Sequence, residues 1–420
     1  MPASYIEADY LLETPADPRR VAETMAGEQS SGTFAAIPGE TEELKARVAA
    51  RVVRLDTLDE YAASPSLPSA QMKVDPDARF RRAQVTLCWP LDTLGPSLPN
   101  LLATIAGNLF ELKSVTGLRL LDIRLPSEFA VAYPGPRFGV AGTRRLAGVE
   151  GRPLIGTIIK PSVGLGPEDT ASLVSELCSA GIDFIKDDEL QSDGPACPFN
   201  QRVESVMRVV NDHAQRAGKK VMFAFNLTGD LDQMRRRHDT LVKHGANCLM
   251  ASINSVGLVG MIELARFSQL PIHAHRNGWG YLSRHPLLGW SYTAWQKIWR
   301  LAGADHMHVN GIGNKFAESD DSSIASAREC LTPMFADKPC TVMPVFSSAQ
   351  SPRQAPATYH GLGSADLIVT AGGGIMAHPL GTAAGVAAMQ EAWEAVLAGV
   401  PLDEFARNRP NLQRALEMAA

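Results

Sequence analysis

The segment 181–189 carries the residue types best suited to chemistry in this chain. An apolar stretch typical of a buried strand runs directly into Lys186, Asp187, Asp188 and Glu189. Side chains alternate along a strand, so Lys186 and Asp188 are predicted to share one face, while Glu189 begins the loop. Carboxylate oxygens suit Mg²⁺, but a lysine could join them only as a carbamate formed with CO₂. The alternative is a solvated run of charges that closes a strand.

Two further strand ends carry groups for proton transfer and anion binding. Lys160 follows an apolar segment, where desolvation and a nearby cation would both lower its pKa towards the range of an acid–base catalyst. His273 and His275 share one strand face, a spacing that by itself could also hold a transition metal. Arg276 comes next, and its planar guanidinium suits a phosphate.

Two glycine-containing segments are candidates for binding anionic parts of a substrate. Gly372 and Gly373 follow an apolar strand, where bare backbone N–H groups could cradle a phosphate. Lys315 lies in a loop with Gly311 and Gly313, which would give a lid its hinge freedom. An ordinary flexible surface loop is the alternative for the second segment.

The elements that must position these residues form a regular pattern. Short apolar runs alternate with helical segments at 154–159, 182–185, 221–225, 248–253, 272–274, 306–309, 341–345 and 367–370. Eight such units predict an α/β fold, a (β/α)₈ TIM barrel that forms the catalytic domain at 141–420. The active site is then expected at the carboxyl ends of the strands. A doubly wound open sheet is the alternative.

The first 140 residues differ from this pattern. Strand-like runs at 46–55 and 81–88 and helix-like runs at 19–25 and 96–105 predict a small α+β domain. The boundary with the barrel domain is placed at residue 140, after a Pro- and Gly-containing linker.

The composition argues against several classes of partner. A net charge of −5 over 420 residues gives no electrostatic reason to expect nucleic acid or an anionic membrane. No segment approaches the run of about 18 apolar residues that spans a membrane, and the amino terminus lacks a signal-peptide pattern. The 6 cysteines are scattered, as is typical of reduced and mostly buried thiols, so a cytoplasmic protein is expected.

Together these motifs resemble the ribulose bisphosphate carboxylase (RuBisCO) large-subunit superfamily, in order from Glu28 to Gly374. The Lys-Asp-Asp-Glu run resembles the metal-binding strand of that family, whose lysine is carbamylated. The resemblance implies one Mg²⁺ per active site, held by carbamylated Lys186 with Asp188 and Glu189. It also implies that the amino-terminal α+β domain is ferredoxin-like.

The resemblance assigns roles at the other strand ends. Lys160 matches a lysine that shuttles the enolisation proton, and His275 matches a histidine for proton transfer or for binding a substrate hydroxyl. Lys315 matches a lysine that closes over the substrate. The remaining matches bind substrate or brace the metal ligands, and they are Asn226, Arg276, His308, Ser347, Gly372 and Gly373.

Three residues of the amino-terminal domain match positions that reach a neighbouring subunit. Glu28, Thr33 and Asn108 resemble residues that cross to the partner's barrel. The resemblance therefore implies a homodimer or a higher homo-oligomer with shared active sites. Taken locally, all three would be unremarkable turn or cap residues.

The sequence departs from the family pattern at several positions. Ser162 stands where the family has a second lysine, and Ser348 and Ala349 stand where it usually has two glycines. Phe34 replaces a tryptophan. These departures indicate a RuBisCO-like protein (type IV) and not a ribulose bisphosphate carboxylase.

The retained Lys315 indicates a substrate that carries a carboxylate. The sequence therefore predicts a Mg²⁺-dependent carboxy-lyase that decarboxylates a phosphorylated β-keto sugar acid through an enediolate, similar to RuBisCO-like proteins that act on 3-oxo-isoapionate 4-phosphate in apiose breakdown. One alternative is the sister transcarboxylase/hydrolase activity on that substrate. The others are an enolase or isomerase of a methylthio-sugar phosphate in methionine salvage, and a non-catalytic sugar-phosphate sensor.

Overall fold

The computed structural model describes residues 4–32, 37–68 and 78–418, which contain two compact units. The first unit comprises Met1–Tyr133 and Gly278–Leu301, and the second comprises Pro134–Asn277 and Ala302–Ala420. The strands in the described residues are β1 (Tyr5–Thr14), β2 (Arg51–Ala62), β3 (Phe80–Pro90), β4 (Gly117–Arg124), β5 (Leu154–Ile158), β6 (Phe184–Lys186), β7 (Met222–Asn226), β8 (Cys248–Ser252), β9 (Ile272–His275), β10 (Leu288–Trp290), β11 (His306–His308), β12 (Met343–Phe346) and β13 (Ile368–Thr370).

The helices alternate with these strands along most of the chain. They are α1 (Pro18–Glu28), α2 (Glu42–Val48), α3 (Leu91–Leu94), α4 (Leu98–Ile105), α5 (Glu128–Ala132), α6 (Gly139–Ala147), α7 (Pro167–Ser179), α8 (Phe199–Ala217), α9 (Leu231–Lys243), α10 (Ile253–Phe267), α11 (Trp279–Ser283), α12 (Tyr292–Leu301), α13 (Asp320–Leu331), α14 (Ala355–Leu362), α15 (Gly373–Met376), α16 (Thr382–Leu397), α17 (Leu402–Phe405) and α18 (Pro410–Glu417). Short 3-10 turns lie at Asn108–Glu111, Pro352–Gln354 and Ala406–Asn408.

The first unit is built on a sheet with the strand order β10-β4-β1-β3-β2. Its β4-β1-β3-β2 part is antiparallel, with α1 between β1 and β2 and α4 between β3 and β4, which confirms the ferredoxin-like prediction. The segment Gly278–Leu301 extends this sheet, because β10 pairs in parallel with β4. Helix α12 lies between the barrel strands β9 and β11 in the chain, but it belongs to the first unit.

The second unit is a closed barrel of eight strands in the order β11-β12-β13-β5-β6-β7-β8-β9. Each strand corresponds to one of the apolar runs, so the TIM-barrel prediction is confirmed. The strands read as nearly continuous apolar runs because neighbours cover both faces of a parallel sheet. Gly156 of β5 allows close approach, since a β-carbon there would lie 2.9 Å from the carbonyl oxygen of Phe184.

An apolar cluster fills part of the barrel. Its buried residues come from six of the eight barrel strands (β5 to β8, β12 and β13), from the end of α6 and from the loop after it, and they are Ala147, Val149, Leu154, Phe184, Met222, Ala224, Cys248, Met250, Met343, Val345 and Ile368. This cluster supports the strand ends that carry the candidate site. All six cysteines are buried, as predicted. Across the described residues, every helix is too short or too polar to cross a membrane.

Candidate active site

The carboxyl ends of seven barrel strands carry the candidate residues of the second unit. Because the eight strands run parallel, these ends meet at one rim. Four strands end on Lys186 (β6), Asn226 (β7), His275 (β9) and His308 (β11), and three are followed within two residues by Lys160 (β5), Ser347 (β12) and Gly372 (β13). The fold thus places these residues together, while the role of each stays a prediction.

Lys186 is a buried lysine beside a carboxylate. It is 1% exposed, its Nζ donates to the backbone carbonyl of Asp187 at 2.7 Å, and it lies 3.6 Å from Oε2 of Glu189. Burial lowers the pKa of Lys186 and outweighs the neighbouring carboxylates, which act in the opposite direction. A lysine with a lowered pKa is more often a neutral amine, and the neutral amine is the form that attacks CO₂.

Lys160 and Asp188 form the second charged pair of the site. Lys160 Nζ lies 2.6 Å from Oδ2 of Asp188 and donates to Oγ of Ser162 at 2.7 Å. Burial alone would raise the pKa of Asp188, but hydrogen bonds from Lys160, from the backbone N–H of Leu190 and from Ser162 lower it overall. Asp188 is therefore an ionised carboxylate that holds Lys160 in place.

Glu189 and His275 face each other at the same rim. Nε2 of His275 lies 3.5 Å from Oε2 of Glu189. Burial, together with the charge of Lys186, lowers the pKa of His275 to about 4. Burial alone would raise the pKa of Glu189, but attraction to Lys186, and to His275 in the acid range where that ring is protonated, lowers it overall. At neutral pH, His275 is thus an uncharged imidazole beside an ionised carboxylate.

Asn226 braces the backbone that carries both carboxylates. Its Nδ2 donates to the backbone carbonyls of Asp188 at 3.3 Å and of Glu189 at 3.2 Å. Its own backbone N–H donates to Oδ2 of Asp187 at 2.9 Å. Asp187 is also bound by Arg202 of α8, whose Nε and Nη2 lie 3.2 and 3.1 Å from Oδ2. Alternation along the strand therefore directs Asp187 to a structural ion pair, on the side opposite Asp188.

These residues fit a magnesium ion held by Asp188 and Glu189, with a carbamate on Lys186 as a third ligand. In the part of the chain that the structure describes, no three His, Cys, Asp or Glu side chains are grouped as a metal cage. Asp188 and Glu189 supply two carboxylates, and a carbamate on the adjacent Lys186 would supply a third hard oxygen ligand. Mg²⁺ commonly binds one or two carboxylates and keeps several waters, so this donor set is sufficient.

Arg276, the candidate phosphate residue, is held by an acidic side chain. Its Nη2 lies 2.6 Å from Oε2 of Glu318, and the same oxygen accepts from Nδ2 of Asn310 at 2.8 Å. Glu318 directly precedes Ser319, the N-cap of α13. This contact fixes the direction of the guanidinium before any ligand binds.

His308 is the last residue of β11, and Ser347 directly follows the neighbouring strand β12. Nδ1 of His308 lies 3.1 Å from Oγ of Ser347. Burial places the pKa of His308 well below its usual value. The ring also packs against His275, with 4.5 Å between the ring centroids. Both residues are thus neutral groups at neutral pH.

The glycines after β13 leave one side of the backbone open. A β-carbon on Gly373 would meet nothing within 4 Å, and one on Gly372 would lie 3.9 Å from Cε of Lys160. By contrast, a β-carbon on Gly374 would lie 2.3 Å from the carbonyl oxygen of Gln350. Gly372 and Gly373 therefore offer room for an anion next to Lys160, while Gly374 is required for packing.

The loop that carries Lys315 lies at the exposed side of the rim. The backbone N–H of Lys315 donates to Oγ of Ser348 at 3.4 Å, and that of Gly313 donates to Oδ1 of Asp320 at 2.8 Å. Nζ of Lys315 lies 5.4 Å from the ring centroid of Phe316. The Lys315 side chain is exposed, as a lysine that closes over a ligand would be before binding.

The candidate residues of the first unit lie together within it. Nδ2 of Asn108 donates to Oε1 of Glu28 at 3.3 Å, and both groups are accessible. Thr33 lies outside the described residues.

Comparison with known families agrees with this geometry. Residues 139–419 match the model of the ribulose bisphosphate carboxylase large chain, catalytic domain, and residues 10–129 match that of its N-terminal domain. The chain belongs to the RuBisCO large-chain family. It is 59% identical to a 3-oxo-isoapionate-4-phosphate transcarboxylase/hydrolase of Xanthobacter autotrophicus, over 98% of both chains. It is 45% identical to a 3-oxo-isoapionate-4-phosphate decarboxylase of Rhizobium etli, again over 98% of both chains.

A solved structure gives the same result. The crystal structure of a RuBisCO-like protein from Burkholderia fungorum is 49% identical in sequence, covers 99% of this chain and 100% of its own, and superposes with a TM-score of 0.93. The RuBisCO-like recognition made from the motifs is therefore confirmed.

Some features of the site could not be predicted from sequence motifs. Glu318 holds Arg276 from 42 residues away, and the only local signal is its place before a helix cap. Ser348 and Ala349, which replace glycines, adopt left-handed backbone angles with φ of 72° and 53°. Non-glycine residues adopt this region at a cost of about 1–2 kcal/mol, so the substitution keeps a glycine-like loop path at an energetic cost.

Proposed function

We propose that this protein is a Mg²⁺-dependent RuBisCO-like enzyme that breaks the bond to the carboxyl group of 3-oxo-isoapionate 4-phosphate. Two curated relatives, 59% and 45% identical over nearly the whole chain, carry names with this substrate. The observation that carries the proposal is the position of Lys160, which is bonded to Asp188 on one side and adjacent to Gly372 on the other. A proton donor therefore lies between the candidate metal ligands and the candidate phosphate cradle.

The chain's own residues account for binding and proton transfer. Gly372 and Gly373 leave room for the phosphate, and Arg276 supplies a pre-oriented cation. Lys315, on an exposed loop, would meet the substrate carboxylate. Lys160 would deliver the proton to the carbon that loses its carboxyl group, and its hydrogen bond to Asp188 fixes the direction of delivery.

The metal would supply one further contribution. When bound by Asp188, Glu189 and carbamylated Lys186, Mg²⁺ would act as a Lewis acid for the ketone of the substrate. The backbone that carries Asp188 and Glu189 is already braced by Asn226, which would limit the reorganisation needed on binding.

The fate of the carboxyl group separates two candidate activities. Decarboxylation is the activity predicted from the retained enolisation residues. The higher identity to the transcarboxylase/hydrolase, 59% against 45%, favours transfer of the carboxyl group within the substrate followed by hydrolysis. Both activities begin by breaking the same carbon–carbon bond next to the ketone, so the same residues serve either one.

The test follows a ¹³C label placed in the substrate carboxyl group. The enzyme is incubated with Mg²⁺ and CO₂, and products are observed by NMR. Label in CO₂ and bicarbonate supports the decarboxylase, whereas label retained in an organic acid after the chain is cleaved supports the transcarboxylase/hydrolase. Unchanged substrate would reject the proposal. Lys160→Met is the matched control, because it keeps the stem of the side chain and removes its proton.

We also propose that the enzyme is a homodimer, or a higher homo-oligomer, with shared sites. The support is the match of Glu28 and Asn108 to residues that reach a partner's barrel, together with their accessible position here. The test mixes Glu28→Ala chains with Lys186→Ala chains. Random exchange makes half the dimers hybrid with one intact site in two, so about a quarter of wild-type activity should return. No recovery after demonstrated subunit exchange would contradict shared sites.

A further inference from the structure

Three histidines form a buried row beneath the rim of the barrel. His273 of β9 and His306 of β11 are 0% exposed and His308 is 4% exposed. Nδ1 of His273 lies 3.3 Å from Nδ1 of His306, and Nε2 of His273 lies 2.8 Å from Nε2 of His308. Phe184 packs against two of the rings, with its centroid 5.1 Å from that of His273 and 6.0 Å from that of His306. The row is thus continuous and fixed by packing.

At the His306 end of the row, Thr143 lies beside the backbone carbonyl of Gly139, which can only accept a hydrogen bond. Oγ1 of Thr143, in α6, lies 2.5 Å from the backbone carbonyl of Gly139 and 2.9 Å from Nε2 of His306. A carbonyl has no hydrogen to give, so the Thr143 hydroxyl must donate to it. Its oxygen is then an acceptor for His306, which must carry its hydrogen on Nε2.

This one assignment fixes every other hydrogen in the row. A neutral imidazole carries one N–H, so Nδ1 of His306 is bare and accepts from Nδ1–H of His273. Nε2 of His273 is then bare and accepts from Nε2–H of His308. Nδ1 of His308 is bare in turn, and it accepts from the hydroxyl of Ser347, 3.1 Å away.

The surroundings favour the neutral forms that this assignment requires. Burial lowers the pKa of His306 to about 3, and it places the pKa of His273 and that of His308 well below the usual value. The bonds point in one direction from Ser347 down to Gly139. The row ends on the backbone carbonyl of Gly139, which accepts a hydrogen bond but does not take up a proton at ordinary pH. This ending favours a role in orienting groups over a role in conducting protons.

We propose that His306 and His273, anchored by Thr143, are positioning residues that fix His308 as its Nε2–H tautomer and turn the hydroxyl hydrogen of Ser347 away from the substrate. Ser347 then presents only oxygen lone pairs to a ligand. It accepts a hydrogen bond from a donor such as a substrate hydroxyl, and it does not donate to a phosphate oxygen. The kinetic consequence rests on the proposed function, whereas the hydrogen positions do not.

Neutron diffraction from crystals of the full-length protein grown in D₂O tests the hydrogen positions directly. We expect deuterium on Nε2 of His306, Nδ1 of His273 and Nε2 of His308, and on the Ser347 oxygen directed at His308. Deuterium on Nδ1 of His308, or on both nitrogens of any of the three rings, would overturn the proposal. No substrate is needed, so an error in the proposed substrate leaves this result decisive.

A pair of variants far from the rim tests the effect on binding. Thr143→Val keeps the shape of the side chain and removes the hydroxyl, so His306 loses the acceptor that fixes its hydrogen on Nε2. Thr143→Ser keeps the hydroxyl. We expect Thr143→Val to raise KM about three- to tenfold with little change in kcat, the effect of one misdirected hydrogen bond, and to give mixed deuterium occupancy on His308. Thr143→Ser should restore both. Equal kinetics and unchanged tautomers in the two variants would show that the row has no positioning role.

Discussion

Two parts of the barrel rim differ in whether their candidate residues are charged or neutral. At the ends of β5 and β6, the side chains of Lys160, Lys186, Asp188 and Glu189 are ionisable and lie in pairs 2.6 and 3.6 Å apart. At the ends of β11 to β13, the candidate groups are a neutral imidazole, a hydroxyl and bare glycine backbone. We call these the charged half and the neutral half.

The difference has an energetic origin. A charged group held among other charges in a partly buried site is stabilised by its partner, so loss of one member leaves the other uncompensated. A neutral hydrogen bond or an open backbone contributes less, because its loss changes only a local contact. Substitutions in the charged half should therefore have larger effects than substitutions in the neutral half, and the ranking can be tested.

The largest effect is expected for Lys186→Ala. The side chain would supply one of three protein ligands to Mg²⁺, so we expect a loss of Mg²⁺-dependent activity of at least about a thousandfold, or roughly 4 kcal/mol in the barrier. Circular dichroism should show that the barrel still folds. Lys243→Ala is the matched control, because Lys243 is exposed on α9 and should leave the rate unchanged. Activity within about tenfold of wild type would contradict the carbamate assignment.

The buried ion pair of Arg202 with Asp187 supports the charged half and can be removed separately. Arg202→Met leaves Asp187 buried without its guanidinium partner, and we expect the free energy of unfolding to fall by about 3–5 kcal/mol. Urea denaturation measures this change. On the same helix, Arg208 pairs with Glu168 at the surface, so Arg208→Met should cost less than about 1 kcal/mol. Equal losses of unfolding free energy in the two variants would contradict the claim that the buried pair contributes more than the surface pair.

Much of this site could be predicted from the sequence because alternation and strand ends are local properties. The positions of Lys186 and Asp188 follow from a period of two, and the convergence of the strand ends follows from a closed parallel barrel. The contact of Arg276 with Glu318 could not be predicted, because it depends on the path of a long loop after β11. The direction of hydrogen bonds among the histidines also required coordinates, since it is set by Thr143 on a different element.

The fold, too, could be predicted where it depends on local sequence and not where it depends on contacts between distant segments. The eight barrel strands were found because each is a short apolar run with a helix after it. The return of Gly278–Leu301 to the first unit was not found. Its helix α12 has an apolar face like that of a barrel helix, and contacts such as the pairing of β10 with β4 show where the segment belongs.

Lys315→Met sharpens the comparison, because it removes a charge that lies outside both halves. The lysine is proposed to meet the substrate carboxylate, so we expect breakage of the carbon–carbon bond to slow about ten- to a hundredfold, the equivalent of roughly 1.5–3 kcal/mol. Solvent deuterium exchange into a decarboxylated ketone phosphate should change little, since it needs only the metal and Lys160. Equal losses in the two assays would mean that Lys315 orders the loop or binds phosphate, and would favour the enolase alternative.

The smallest effect is expected in the neutral half, at Gly373. An alanine β-carbon there meets nothing within 4 Å, so Gly373→Ala should leave the melting temperature unchanged. The added methyl would occupy the side from which a phosphate approaches, and we expect KM to rise about tenfold, or roughly 1.4 kcal/mol of binding. The neighbouring Gly374→Ala gives the opposite pattern: its β-carbon would lie 2.3 Å from a backbone carbonyl, so stability should fall by about 1–3 kcal/mol. Thermal melting and steady-state kinetics on both variants separate the two outcomes. An unchanged KM in Gly373→Ala would place the phosphate elsewhere on the rim, and the division into charged and neutral halves would then lose its functional meaning.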